Sequence, residues 1–377
     1  MSTAPSEITV SSPFDAHVHL RQGDMCTLIA PHVAQGGMHT AYVMPNLVPP
    51  ISTTDEAVAY HARLRALAPS TTFLMSLYLS PALTPDEVRK AKASGVVWGV
   101  KSYPRGVTTN SASGVESYDV YYPVFEAMEE AGLVLNLHGE VPSDAERGIC
   151  VLNAEERFLE HLHKLHAAFP KLRIILEHAT TRAAVEAVKA CGPTVGCTIT
   201  PHHLELIVDD WAGKPLNFCK PVAKYPDDRA ALRAVIKEGH PRFFLGSDSA
   251  PHPLASKLPS AHTHGLETVT SCGCAAGVYT SAILLPLCAH LLDSFGALDQ
   301  LEGYVSSRGR AFYGLDGGSD QGSVKLRRSA GGEKRGSAKV PVAYVHPDHE
   351  PLAEGDKERI QVVPFLAGKK LNWEIVS

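Results

Sequence analysis

The sequence predicts an α/β fold, a (β/α)8 TIM-type barrel with a C-terminal extension, on three observations. Short apolar or β-branched runs alternate with amphipathic stretches along most of the chain, and such alternation implies a parallel sheet covered by helices. The runs number eight, which points to closure into a barrel because an open doubly wound sheet seldom needs so regular a count. Polar side chains of metal-ligand type recur at the ends of these runs, on the face where such barrels place their chemistry.

The strands are expected near 13–19, 39–45, 72–79, 96–101, 133–138, 173–178, 194–200 and 243–248, each rich in Val, Ile, Leu or Phe. Between them, Thr54 to Leu67 opens with Thr54-Asp55-Glu56, and Thr84-Pro85-Asp86-Glu87 combines an N-cap with proline at the first helical position. Tyr118–Ala131, Ala154–Phe169, Thr181–Cys191 and Asp228–Lys237 follow the same habit, with Gly132 and Gly239 where C-caps belong. No stretch is linker-like enough to divide the chain. Residues 1–377 are therefore expected to form a single domain, with 1–12 as an N-terminal extension and about 315–377 as a C-terminal extension packed on the barrel.

Composition narrows the function classes. The 377 residues are 44% hydrophobic and 20% charged with net charge −5, an ordinary globular balance. That charge is too small and too mixed to suggest a nucleic-acid partner. Met1 to Ser12 lacks an apolar core of the signal-peptide kind. The longest apolar stretch, near Ala282–Leu292, is interrupted by Pro286 and His290 and falls far short of a membrane span. Eight dispersed cysteines without a CxxC pair fit reduced thiols in a cytoplasmic protein.

The most informative motif is His17-Val18-His19 within Phe14-Asp15-Ala16-His17-Val18-His19-Leu20-Arg21. Residues two apart on a strand share a face, so two imidazoles so placed can reach one metal ion. Lys101, His138, His178 and Asp248 sit at the ends of four further strands. Any one of these alone reads as a hydrogen-bonded strand end; six together, from five strands, read as a metal centre. Six positions exceed the three protein ligands of one catalytic zinc, whereas two metals would use them all. Asp248 is the only carboxylate in the set, and Lys101 has the wrong charge beside metals. A carbamate on Lys101 (N6-carboxylysine) removes the mismatch, since it is anionic and offers one oxygen to each metal. An unmodified Lys101 acting as a phosphate anchor or Schiff base is the alternative.

These residues carry a resemblance. Asp15-Ala16-His17-Val18-His19-Leu20-Arg21, Met44-Pro45-Asn46, Gly99-Val100-Lys101, Thr108-Thr109-Asn110, Leu137-His138-Gly139-Glu140, Glu177-His178-Ala179-Thr180-Thr181 and Gly246-Ser247-Asp248-Ser249-Ala250-Pro251-His252 resemble the dihydroorotases of the amidohydrolase superfamily, in the short, free-standing form of many bacteria and fungi. Pro364-Phe365-Leu366-Ala367-Gly368 and Leu371-Asn372-Trp373 look like that family's closing segment, so the likeness spans nearly the whole chain. It implies reversible cyclisation of N-carbamoyl-L-aspartate to L-dihydroorotate in pyrimidine synthesis, a cytoplasmic homodimer, and two Zn2+ per chain bridged by carbamated Lys101 and hydroxide. By resemblance, one zinc is held by His17, His19, the carbamate and Asp248, and the other by the carbamate, His138 and His178. Asp248 is also implied as the catalytic proton carrier. Arg21, Asn46 and His252 are implied to grip the substrate carboxylate, and Thr108 and Thr109 to tip a loop, 105–114, that closes over the ligand.

Taken singly, Arg21 also fits a surface ion pair, Asn46 a turn and His252 a loop. If the first strand continues past His19, Arg21 shares the face of the two histidines. The segment 253–271, with its second HxH at His262-Thr263-His264, is expected to be an exposed insertion. Basic, glycine-rich 327–336 reads as a solvated loop rather than an anion or partner patch, and His346-Pro347-Asp348-His349 as a turn. Two rival functions remain. One is a hydantoinase- or dihydropyrimidinase-like hydrolase, which has less need of an Arg21–His252 carboxylate clamp. The other is a non-catalytic barrel serving as a binding module, which should lack one or more of the six ligands.

Overall fold

The computed structural model describes residues 5–111, 113–258, 274–315, 322–329, 339–346 and 360–376. Strand β1 (Glu7–Ser11) precedes eight barrel strands: β2 (Phe14–Val18), β3 (Thr40–Val43), β4 (Thr72–Tyr78), β5 (Val97–Ser102), β6 (Val134–His138), β7 (Arg173–Glu177), β8 (Val195–Ile199) and β9 (Phe243–Leu245). β2 to β9 lie side by side in chain order, all parallel. All eight expected strands are present, and only β5 runs past its expected end, to Ser102.

The seam between the first and last barrel strands is closed by backbone and side chain together. Asp248 N–H donates to His17 O (3.0 Å) and His19 N–H to Ser249 O (3.1 Å). Just below, the Asp15 carboxylate accepts from Ser247 N–H (2.8 Å) and Ser247 Oγ (2.6 Å). This seam brings His17, His19 and Asp248 to the same edge.

The period of two along the strands grades the barrel interior from apolar to polar. Phe14, Tyr42, Val134, Ile175, Phe244 and Tyr313 pack in one interior cluster. Two and four residues beyond Val134 on β6 come Asn136 and His138, and two beyond Ile175 on β7 comes Glu177. Outside the barrel, the helices Thr54–Leu67, Pro85–Ala93, Tyr122–Ala131, Ala154–Ala168, Arg182–Ala190 and Pro226–Glu238 cover the sheet. A 3-10 turn, Asp119–Tyr121, replaces the first part of the helix expected from Tyr118. Gly132 (φ 66°) and Gly239 (φ 74°) are left-handed C-caps, a conformation that favours glycine.

Both extensions join one sheet. β10 (Ser323–Arg328) pairs antiparallel with β1 on one side and with β13 (Trp373–Val376) on the other. Trp373 is fully buried. Its indole N–H donates to Asp293 at 3.3 Å, and Arg328 lies 4.7 Å over its ring. The small pair β11 (Tyr344–Val345) and β12 (Gln361–Val362) completes the described strands.

Three surface expectations change where they fall on described residues. The start of 253–271 is a helical turn, Leu254–Lys257, whose Lys257 is buried rather than exposed; three backbone carbonyls accept from its ammonium. Arg327 and Arg328 belong to β10 and pair with Glu374 and Asp293, because an ordered strand holds them beside those carboxylates. His346 is buried and its N–H donates to Ile360 O, so it extends the β11–β12 pairing rather than an open turn. His262, His264, 330–336 and 347–349 lie outside the described residues. Among the described residues, no helix is long and apolar enough to cross a membrane.

Candidate active site

The seam places three potential ligand atoms in a triangle. His17 Nε2 and His19 Nε2 are 3.3 Å apart, and Asp248 Oδ1 lies 3.2 Å from the first and 3.0 Å from the second. Atoms about 2.0–2.2 Å from one tetrahedral ion stand about 3.3–3.6 Å from each other, so this spacing is within a few tenths of an ångström of a shared cation's shell. A second grouping joins His17, Glu177 and His178, whose ligand atoms lie within 4.8 Å of one another. His178 Nδ1 is buried with no hydrogen-bond partner among the described residues, as expected of a lone pair reserved for a metal. His138 stacks edge-on against His178 at 4.7 Å. Its Nε2 lies 2.8 Å from Glu140 Oε2, the kind of carboxylate partner that fixes the orientation of a metal-binding histidine.

Burial sets the protonation states. It lowers the pKa of all four imidazoles, that of His19 to about 4, favouring the neutral, ligating form. Burial alone would raise Asp248, but His17 and His19 hold its carboxyl well below the usual carboxylate range. Lys101 has no exposed surface, and burial drives its amine well below the ordinary lysine value. Its Nζ lies against Glu177 Oε2. Glu177 Oε1 in turn accepts from Asn136 (3.0 Å), which is tied to Tyr42 and Tyr313. A buried polar network therefore supports the ligands from below.

Arg21, Asn46, Thr108 and Thr109 line the same cleft as His17, His19, His138, His178 and Asp248. Arg21 arrives by a route the sequence did not suggest. β2 ends at Val18, and Arg21 has φ 56°, so it does not share a strand face with the histidines. Its side chain is instead pinned to Pro251 O (2.9 Å) and to His252 Nε2 (3.1 Å). His252 lies behind Arg21 rather than among the cleft-lining residues. Burial and the Arg21 charge lower its pKa to about 3, so it is neutral. His178 (φ 43°) and Asp248 (φ 44°) are also left-handed, and backbone strain of this kind clusters at functional sites.

Asn46 has two partners. Its Oδ1 lies 2.8 Å from His19 Nδ1, and its Nδ2 donates to Thr109 O at 3.1 Å. Asn110 Nδ2 returns a bond to Asn46 O at 2.9 Å. Four residues were missed by sequence reasoning: Tyr103 and Lys220, which line the cleft, and Glu140 and Glu177. The carboxylates had a signal, since each lies within two positions of a ligand-type histidine. Tyr103, two after Lys101, had a weaker one, and Lys220 had none.

No family model matches the chain. It is 66% identical to a dihydroorotase of Mycosarcoma maydis over 98% of both chains. The crystal structure of a Saccharomyces cerevisiae dihydroorotase in complex with 5-fluoroorotic acid superposes with a TM-score of 0.87 at 43% identity, covering 99% of each chain. An L-hydantoinase (dihydropyrimidinase) from Arthrobacter aurescens reaches a TM-score of 0.78 at only 19% identity, covering 98% of this chain and 83% of that one; this likeness is one of fold.

Proposed function

The chain belongs to the dihydroorotases of the amidohydrolase superfamily, and from that membership we propose that it interconverts N-carbamoyl-L-aspartate and L-dihydroorotate at the mouth of the barrel. The observation that carries this reading is the triangle of His17, His19 and Asp248 beside a fully buried Lys101. The donor set suits two zinc ions: neutral imidazoles, one strongly ionised carboxylate, and an amine whose burial favours the uncharged form that adds carbon dioxide. His17, His19 and Asp248 would hold one ion, His138 and His178 the other, and the Lys101 carbamate both. When bound, such ions acidify water and polarise a carbonyl.

The remaining work falls to side chains. Arg21 binds the substrate carboxylate through its planar fork, and neutral His252 holds the guanidinium in place from behind. Thr108 and Thr109 close the cleft and exclude water from the charged site. In hydrolysis, Asp248 takes a proton from the attacking water and delivers it to the ring nitrogen as the ring amide bond breaks. In cyclisation the proton moves the opposite way. Arg21 favours this reading over a hydantoinase-like one, because an uncharged ring offers no carboxylate to the guanidinium at the cleft wall. The reading extends to a homodimer working in the cytoplasm.

The test is dihydroorotate turnover together with elemental analysis of the purified protein. Two metal equivalents per chain are expected. Lys101→Ala should lose most activity and part of the metal, with partial recovery on adding a short carboxylic acid. Full activity with one equivalent, or in Lys101→Ala, would overturn the bridging assignment; absence of dihydroorotate turnover in the metal-replete wild type would overturn the function.

A further inference from the structure

A second cluster of soft ligands lies outside the proposed catalytic set. Ligand atoms of His202, His203 and Cys219 come within 4.8 Å of one another, and all three residues are buried. They join two segments: 200–206, which follows β8, and 218–224, which carries the cleft-lining Lys220. His202 is the anomaly. It has no exposed surface, and neither ring nitrogen has a hydrogen-bond partner among the described residues. A buried imidazole with an unmatched donor and an unmatched acceptor is destabilising on both counts, and such a group calls for an unseen ligand.

The neighbours have the spacing of a coordination shell. Cys219 Sγ lies 3.6 Å from His203 Nε2. Pro221 O lies 3.2 Å from that sulfur and 3.0 Å from that nitrogen. Ligands about 2.3 Å (sulfur) and 2.0–2.1 Å (nitrogen) from one tetrahedral ion stand about 3.5 Å apart. His203 also has the partner a metal-bound histidine needs on its other nitrogen. Thr200 Oγ1 lies 3.0 Å from Nδ1, and a hydroxyl can accept from Nδ1–H once Nε2 has given up its proton to bind metal. Burial pushes the Cys219 thiol up to about 12, with Asp248 and Glu140 raising it further and Lys257 and Lys224 lowering it, so the thiolate forms only as an ion binds.

We propose that His202, His203 and Cys219 form a separate site for a zinc-class divalent ion, with Pro221 O or a water completing the shell. Two imidazoles and a thiolate select zinc or cobalt over magnesium or calcium. Binding releases the Cys219 thiol proton to solvent. The ion staples the loop after β8 to the segment bearing Lys220, so its role is structural and does not depend on the dihydroorotase reading.

Sulfur makes the site separable by spectroscopy, because the catalytic set contains none. The full-length protein is stripped of metal under reducing conditions and titrated with cobalt(II). A sulfur-to-cobalt charge-transfer band in the near ultraviolet is expected, and its absence from the wild-type protein overturns the proposal. Cys219→Ala should lose that band and one metal equivalent per chain while the catalytic metals remain; a band that survives in Cys219→Ala also overturns it. Should Cys219→Ala fail to fold, His202→Gln decides: a weakened or shifted band supports the site, and an unchanged band and metal count refute it. Loss of dihydroorotate turnover with the band intact would count against the catalytic reading alone.

Discussion

Substituting Asn46 separates two tasks that one side chain performs. Asn46→Asp keeps the oxygen that faces His19 Nδ1 but replaces the amide that donates to Thr109 O. Two acceptors then confront each other where the structure has a bond of 3.1 Å. Losing one partner of this part-buried hydrogen bond costs up to about 1–3 kcal/mol, which lowers the ratio of seated to unseated 105–114 segment by up to roughly five- to 150-fold. Hydrolytic kcat/KM should fall by up to that factor while metal content holds, since His19 keeps its partner. Asn46→Ala removes both bonds and should lose metal as well. Because an aspartate at this position also repels an anionic substrate, Asn110→Ala serves as the control: it removes the return bond to Asn46 O, adds the cost of alanine at a left-handed φ of 56°, and should shift kcat/KM in the same direction. The assays are steady-state kinetics, elemental analysis and limited proteolysis within 105–114. Asn46→Asp and Asn110→Ala with wild-type kcat/KM and unaltered cleavage would refute the claim that this pair seats the loop.

Three other outcomes are expected. Asp248→Asn should lower turnover by about 10²–10⁴, measured on protein whose metal content is verified; near-normal rates with metals retained would remove its proton role. Dihydrouracil, which lacks the carboxylate, should be a poorer substrate than dihydroorotate by about 10⁴, and comparable efficiencies would return the chain to the hydantoinase-like alternative. His32, buried against Tyr279, has its pKa lowered by burial from 6.5 to about 4. The unfolded chain therefore binds the extra proton first, so this stability is complete above pH 6.5 and is lost as pH falls toward 4. The loss amounts to about 3 kcal/mol for that shift. Urea denaturation across this range should show a shallower acid limb in His32→Phe, and parallel curves for the two proteins would contradict it.

The barrel was legible because its signals are local. Runs such as Thr72–Tyr78 carry their own period and composition, and Thr84-Pro85 announces a helix within four residues. The ligand histidines were legible because strand ends are where a barrel presents its chemistry. What escaped depends on contacts between distant segments. Arg21 reaches the cleft through a left-handed turn that only Pro251 and His252 explain. The loop 105–114 looked unanchored apart from Val107, yet the Asn46 side chain donates to Thr109 O and the Asn110 side chain donates to Asn46 O. Lys257 looked like part of an exposed insertion, but its ammonium donates to Phe218 O, Ala275 O and Gly277 O at 2.8–2.9 Å. A lysine side chain gives no sign in sequence that three carbonyls await it.

The seam between β2 and β9 also orders events in time. His17 and His19 are made early, but the oxygen that completes their triangle belongs to Asp248, and the bonds that close the barrel run between His17, His19, Asp248 and Ser249. At roughly 5–20 residues per second, a ribosome needs about ten to fifty seconds to travel from one side of the seam to the other. The outer strand waits longer still, since Glu7 pairs with Arg327 and β10 needs Trp373–Val376 for its other edge. Until Asp248 has been made, the two histidines lack the carboxylate that completes their triangle. The triangle is thus closed by residues made at opposite ends of the barrel's chain order, and it forms only once both sides of the seam exist.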